Sequence, residues 1–177
     1  TLLLLAEQAR PGTFGALWCY EPIMSPVEDP PPPQPNPMAA GARRRRHVFA
    51  SRDAAYAAFA GKPPLSVLAP HALEAYVDFG FEDLEDGTVR LKCRPEHEAL
   101  VYEHGLSHTA YRHLPDIRCP VTVACGELTD TVGPAAADRL SGRLPHGRTQ
   151  VVGGLGHFGP LEDPDAVAAA VLRAFDV

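Results

Sequence analysis

The sequence lacks a long apolar run, paired cysteines and an excess of positive charge. Its N-terminal run TLLLLA is too short to cross a bilayer and follows no Arg or Lys, so it is typical of a helix interior rather than of a signal peptide. The net charge of -6 argues against nucleic-acid binding. The cysteines are far apart and form no CxxC pair, which argues against a zinc site or a disulfide framework: Cys19, Cys93, Cys119 and Cys125. Together these absences predict a cytoplasmic protein with reduced thiols that binds neither nucleic acid nor a membrane.

The composition is that of an ordinary globular domain. The chain has 177 residues, of which 45% are hydrophobic and 21% are charged, and this is enough to bury a core. Four leucines follow Thr1 directly, without the polar cap that usually begins a helix, so we expect the chain to start inside one. A proline-rich stretch over residues 28–41 predicts an extended surface linker. Its PxxP spacing could dock an SH3-like partner, but a plain connector is favoured.

Helix and strand patterns alternate at both ends of the chain. At the N-terminal end LLLLAEQA precedes Pro11 and Gly12, and the apolar strand FGALWCYEPI follows. At the C-terminal end the β-branched run PVTVACG, the helix AAADRLSGRL, the strand RTQVVGG and the helix PDAVAAAVLRAFDV follow one another. This order predicts an α/β fold with parallel strands flanked by helices.

The middle of the chain interrupts that alternation. Four arginines, Arg43 to Arg46, precede an alanine-rich helical pattern, and we interpret them as a solvated helix start because neighbours on a helix cannot all face one phosphate. Further helices and a strand-like DGTVRLKC follow. The predicted organisation is a helix, strand and proline-rich linker over 1–42, a mostly helical cap or lid over 43–113, and a C-terminal core over 114–177.

Two residues stand out as candidates for catalysis. His157 lies in the glycine-rich stretch VVGGLGHFGPLEDP, just after a predicted strand, and Asp130 follows the preceding predicted strand. Catalytic groups gather at the carboxyl ends of parallel strands. A histidine there can accept and return a proton, and an aspartate bonded to its other ring nitrogen fixes the tautomer. We therefore predict His157 as the base and Asp130 as the acid.

Other side chains compete for these roles. Glu127 could be the acid in place of Asp130, and Glu21 follows the LWCY strand, although a structural role is favoured for it. The spacing of the histidines in and after the cap disfavours a metal: His97, His104, His108 and His113. Aromatic side chains of the cap either line an apolar substrate pocket or pack the cap itself: Phe79, Phe81 and Tyr102.

The loops GELTD, over residues 126–130, and GLGHFGPLEDP, over 154–164, resemble those that carry the acid and the histidine in the α/β-hydrolase superfamily. The resemblance covers nearly the whole chain, with residues 43–113 in the position of the family's cap. It implies a hydrolase of ester or related bonds in small molecules, which uses a triad of nucleophile, Asp130 and His157 and needs no cofactor. The alternative is a hydrolase-like protein that binds a ligand without catalysis.

The family's nucleophile motif, G-x-S-x-G, does not occur in this sequence. By analogy it would lie a few residues before Thr1, because the LLLLAEQA helix resembles the one that follows the nucleophile. We therefore expect the chain to be a C-terminal fragment with the acid and base only, inactive by itself. Neither the substrate nor the oligomeric state is indicated.

Overall fold

The computed structural model describes residues 1–26, 29 and 31–176, so parts of two predicted segments, at residues 28, 30 and 177, lie outside the described residues. The chain forms two compact units, one made of residues 1–32 with 105–177 and the other of residues 33–104. The second unit overlaps the predicted cap but begins at Pro33 rather than at residue 43, and ends at His104 rather than at 113. The functional role of the cap stays a prediction.

The described chain contains both helices and strands, with short 3-10 turns at Leu65–Val67 and Leu114–Asp116. In chain order the elements are α1 (Leu2–Ala9), β1 (Leu17–Tyr20), α2 (Pro37–Arg44), β2 (Val48–Phe49), α3 (Arg52–Ala60), α4 (Pro70–Gly80), β3 (Phe81–Asp83), β4 (Val89–Leu91), α5 (Pro95–His104), β5 (Val121–Gly126), α6 (Pro134–Ser141), β6 (Gly147–Val152), α7 (Gly159–Glu162) and α8 (Pro164–Phe175).

The first unit is built on a parallel sheet in the order β1-β5-β6. Leu17 pairs with Val121, which in turn pairs with Gly147. All six residues of the central strand β5 are buried, as its β-branched sequence predicts for a strand covered on both faces. The predicted α/β class with parallel strands and flanking helices is therefore confirmed.

Helices cover both faces of this sheet. Alternate residues of β1 enter different cores, because successive side chains of a strand point to opposite faces. Leu17 and Cys19 pack with Leu4 of α1 and with α6. Trp18 and Tyr20 pack instead with Val167 and Ala170 of α8. The three layers fix the carboxyl ends of β1, β5 and β6 along one edge of the unit.

The second unit contains more strand than the sequence predicts. Besides four helices it holds a small antiparallel sheet in the order β2-β4-β3. Phe81 begins β3 and is almost fully buried, in ring contact with Phe49 and with Tyr76. Tyr102 is partly buried and packs against the alanines at which α2 and α5 meet. Phe79, in contrast, is 76% exposed. Phe81 and Tyr102 therefore pack this unit, which is one of the two roles predicted for them.

The proline-rich stretch and the arginine run differ from expectation. The last five residues of the stretch are not extended but begin α2, since the side chain of Asn36 accepts a hydrogen bond from the Ala39 N–H and Pro37 occupies the first turn. Arg43 and Arg44 consequently end a helix, where cations favour the negative end of the helix dipole. The next helix, α3, begins only after Ser51, whose hydroxyl caps it.

Within the described part of the chain, no helix combines the length and the apolar character needed to cross a membrane.

Candidate active site

His157 lies in the loop that connects β6 to α7, as the glycine-rich sequence predicts. The loop turns at Gly154, whose φ of 73° is easily reached only without a side chain. The imidazole is about one-third exposed and makes an edge contact with the ring of Phe158. It is thus accessible from solvent at the carboxyl end of the sheet.

The acidic partner of this ring is Glu21, which directly follows β1. Its Oε2 lies 2.7 Å from Nδ1 of His157. The Glu21 N–H still donates to the Ala124 carbonyl at 2.8 Å, so the residue remains attached to the end of the sheet. Its φ of 42° is unusual for a residue with a side chain, and such backbone strain concentrates at functional sites. The backbone at the end of β1 therefore adopts an uncommon conformation at Glu21, and the side chain of this residue points to His157.

Glu21 is buried, and its carboxylate is well supplied with donors. Only 1% of the side chain is exposed. Besides the imidazole, Oε1 accepts from the Gly126 N–H at 3.1 Å, and Oε2 accepts from the Thr129 hydroxyl at 2.9 Å and from the Val132 N–H at 3.3 Å. Three of these four donors come from β5 and the segment that follows it. A buried carboxylate needs such donors, because burying a polar group without hydrogen bonds is costly.

This arrangement defines the tautomer of His157. A carboxylate accepts hydrogen bonds, so Nδ1 carries the proton and donates it toward Glu21. The lone pair then lies on Nε2, the nitrogen that accepts a proton from a nucleophile in a triad. If Nε2 becomes protonated, the adjacent carboxylate stabilises the positive ring. The pair is therefore equipped for general base and general acid chemistry.

The predicted acid, Asp130, and its alternative, Glu127, occupy other places. Asp130 is exposed, and it accepts a hydrogen bond from the Thr131 hydroxyl at 3.2 Å rather than one from His157. Glu127 accepts from the Gly154 N–H at 2.9 Å, so it contacts the backbone of the histidine loop and not the ring. The structure thus brings together His157 and Glu21, and it does not pair His157 with Asp130.

The signal for Glu21 was present in the sequence. Glu21 directly follows the apolar strand LWCY, and functional groups of a parallel sheet gather at the carboxyl ends of its strands. Pairing it with His157 required knowing that β1 and β6 flank the same strand, which chain order alone does not give.

Tyr20, the last residue of β1, also contacts the loop that carries His157. Its hydroxyl donates to the Gly156 carbonyl at 2.5 Å. Burial, and after it the charge of Glu21, raises the pKa of this phenol far above its usual value, so the donor keeps its proton. Gly126 and Gly159 lie so close to the Tyr20 hydroxyl that neither position has room for a Cβ.

Cys125 lies on β5, next to Gly126, but it is poorly suited as a nucleophile. It is fully buried, and burial together with the charge of Glu21 raises its pKa. Thiols react as thiolates, which this environment disfavours. Among the described residues, no group of three or more His, Cys, Asp or Glu side chains is placed to hold a metal ion.

The fold and this pair of side chains define a class of α/β proteins with a histidine and an acid at the carboxyl edge of a parallel sheet. The model of the alpha/beta hydrolase family matches residues 4–170, and the chain belongs to this family. No curated protein matched the chain in sequence.

Several solved structures share the fold. The peroxisomal alpha-beta-hydrolase Lpx1 from Saccharomyces cerevisiae has a TM-score of 0.80 at 19% identity, over 97% of this chain and 48% of that one. An E-2-(acetamidomethylene)succinate hydrolase has a TM-score of 0.73 at 20% identity, over 99% and 62% of the two chains. The esterase Rv0045c from Mycobacterium tuberculosis has a TM-score of 0.68 at 16% identity, over 99% and 57%. The chain thus spans about half to three-fifths of the length of these proteins.

Proposed function

We propose that this chain supplies the acid and the base of a hydrolase that cleaves an ester or a related bond in a small molecule. His157 is the base and, in place of the expected Asp130, Glu21 is the acid. The observation that carries the proposal is the contact between His157 Nδ1 and a Glu21 carboxylate buried among three further donors.

The contact favours catalysis over a purely binding role. Keeping a carboxylate buried at a strained backbone position is costly, and a protein that only binds a ligand has no evident need for it. In a hydrolase the same carboxylate has a defined use, since it orients the imidazole and stabilises its protonated form. The esterase and hydrolase structures that share the fold agree with this interpretation.

The nucleophile is proposed to lie outside these 177 residues. The sequence contains no G-x-S-x-G motif. Two of its serines already have structural roles, because Ser51 caps α3 and Ser141 hydrogen-bonds to Thr149. In the complete site His157 Nε2 would take the proton of the nucleophile as it attacks the acyl carbon, and would return that proton to the leaving alcohol.

The test is hydrolysis of p-nitrophenyl esters, from acetate to octanoate, by the full-length protein and by its His157→Ala variant. A fluorophosphonate probe identifies the nucleophile by peptide mapping. We expect turnover and labelling outside residues 1–177, and both should be lost in His157→Ala. Turnover that is unaffected by His157→Ala, or a labelled residue within this chain, would contradict the proposal.

A further inference from the structure

Glu162 holds the backbone on both sides of His157. One of its carboxylate oxygens, Oε2, accepts from the Gly156 N–H at 2.8 Å. The other, Oε1, accepts from the Phe158 N–H at 3.0 Å. The two N–H groups belong to the residues immediately before and after the histidine. A single carboxylate therefore clamps the peptide segment that carries the ring.

This clamp is separate from the hydrogen bonds that form α7. The Glu162 N–H bonds to the Phe158 carbonyl at 3.0 Å, and the Asp163 N–H bonds to the Gly159 carbonyl at 3.0 Å. The Asp163 side chain instead caps α8, since its Oδ1 accepts a hydrogen bond from the Ala166 N–H at 2.9 Å. In the run LEDP, the first acid thus serves the histidine loop and the second begins the last helix.

Among the described residues, Glu21 is the charged partner of the ring, and the backbone of the loop sets where the ring meets it. Glu21 contacts Nδ1 only, and a rotation or shift of the loop would change both that contact and the direction of Nε2. The loop is glycine-rich, which gives its backbone little stiffness of its own. External contacts must therefore fix it. Glu162 contacts the backbone on both sides of the ring, whereas Tyr20 contacts only Gly156 before it.

Resting on the proposed function, we propose that Glu162 is a positioning residue for catalysis, which keeps His157 aligned between Glu21 and the reacting atoms. It acts through the Gly156 and Phe158 amides and does not contact the substrate. Its loss misaligns the base without removing it, and small misplacements of catalytic groups lower turnover by as much as about two orders of magnitude.

Glu127 provides a matched control. It is also a carboxylate that accepts a hydrogen bond from this loop, but at Gly154, three residues before the ring. Glu127→Gln keeps an acceptor for that single N–H. Glu162→Gln keeps an acceptor for only one of its two, and its new amide group faces the other donor. Glu162→Ala removes both contacts.

The experiment is done on the full-length protein, with steady-state kinetics and with NMR of the His157 imidazole nitrogens and of its Nδ1 proton. For Glu162→Ala we expect kcat to fall about 10- to 100-fold with KM little changed, and the Nδ1–H tautomer signal to weaken or broaden. Glu162→Gln should be intermediate, and Glu127→Gln should match the wild type in both readouts. Unchanged kcat and an unchanged imidazole signal in Glu162→Ala would overturn the proposal.

Equal losses in Glu162→Ala and Glu127→Gln would overturn it too, because they would point to general loosening of the loop. The imidazole signal does not depend on turnover. If the wild type hydrolyses no ester, the proposed function fails on kinetics, while the tautomer signal in Glu162→Ala still decides whether Glu162 orients the ring.

Discussion

Oε2 of Glu21 lies 2.7 Å from Nδ1 of His157, although 136 positions separate the two residues in the sequence. The contact joins the end of β1 to the loop after β6, and the end of β5 between them supplies the Gly126 N–H to the same carboxylate. The three parallel strands thus bring together a carboxylate and an imidazole that no local motif contains.

Glu21→Gln is predicted to lower kcat by about three to four orders of magnitude, since a neutral amide no longer selects the Nδ1–H tautomer or stabilises the protonated ring. Gln is similar in size and retains an oxygen for one of the two backbone donors, the Gly126 or the Val132 N–H, so we expect the protein to fold with some loss of stability. The measurement is kcat on a p-nitrophenyl ester, with circular dichroism to verify folding.

Asp130→Asn is the control for this acid. The side chain is exposed, and Asn can still accept from the Thr131 hydroxyl, so kcat should stay within about twofold of wild type. An inactive Asp130→Asn beside an active Glu21→Gln would return the role of acid to Asp130.

His157→Ala is predicted to lower kcat by about three or more orders of magnitude, as loss of a triad histidine does. Folding should be little affected, because the ring is partly exposed and Glu21 keeps its other three donors. Thermal unfolding should therefore move by only a few degrees. Wild-type turnover in this variant would mean that His157 is not the base.

The sequence predicted the histidine loop and the parallel strands because both depend on local signals. Glycines around His157 mark a turn, and the β-branched run of β5 marks a buried strand. The carboxylate that contacts His157 could not be identified in this way. Asp130 and Glu21 both follow strands, and only the side-chain directions in three dimensions place one at the ring and the other in solvent.

The start of α2 shows a second limit of pattern reading. A run of prolines predicts an extended chain, and its described residues 31–36 lie in neither a helix nor a strand. The pair Asn36 and Pro37 is nevertheless a strong helix start, and it outweighs the helix-breaking character of the prolines before it. The helix cap at Asn36 therefore sets the start of α2, within a stretch whose composition alone predicts a linker.

Tyr20 is predicted to make the protein less stable in alkali. Burial raises the pKa of its phenol in the folded state, so the unfolded chain releases this proton first. Its contribution to stability is fully present below the unfolded value of about 10 and is lost progressively as the pH rises above it. Urea unfolding of wild type and Tyr20→Phe should show a smaller loss between neutral and alkaline pH in the variant. Equal losses in both proteins would show that the partly buried Tyr20 phenol does not cause this pH dependence.

Gly126→Ala is predicted to lower both stability and turnover. A Cβ at this position would overlap the Leu155 carbonyl and would lie 2.7 Å from the Gly156 carbonyl and from the Tyr20 hydroxyl. Backbone carbonyls cannot rotate away as a flexible side chain can, so the loop before His157 must shift. We expect a loss of about 1–3 kcal/mol in the free energy of unfolding. We also expect kcat to fall by up to about 100-fold through displacement of the base.

Gly153→Ala is the matched control for this contact, because it adds the same methyl group at the start of the same loop. Its Cβ would meet its nearest neighbour, Oε2 of Glu127, at an ordinary distance of 3.7 Å. Stability should therefore stay within about 0.5 kcal/mol of the wild type, with kcat unchanged. Urea unfolding and ester hydrolysis of the two variants measure both effects. If Gly126→Ala behaved like Gly153→Ala, the close approach of β5 to the histidine loop would not be what positions His157.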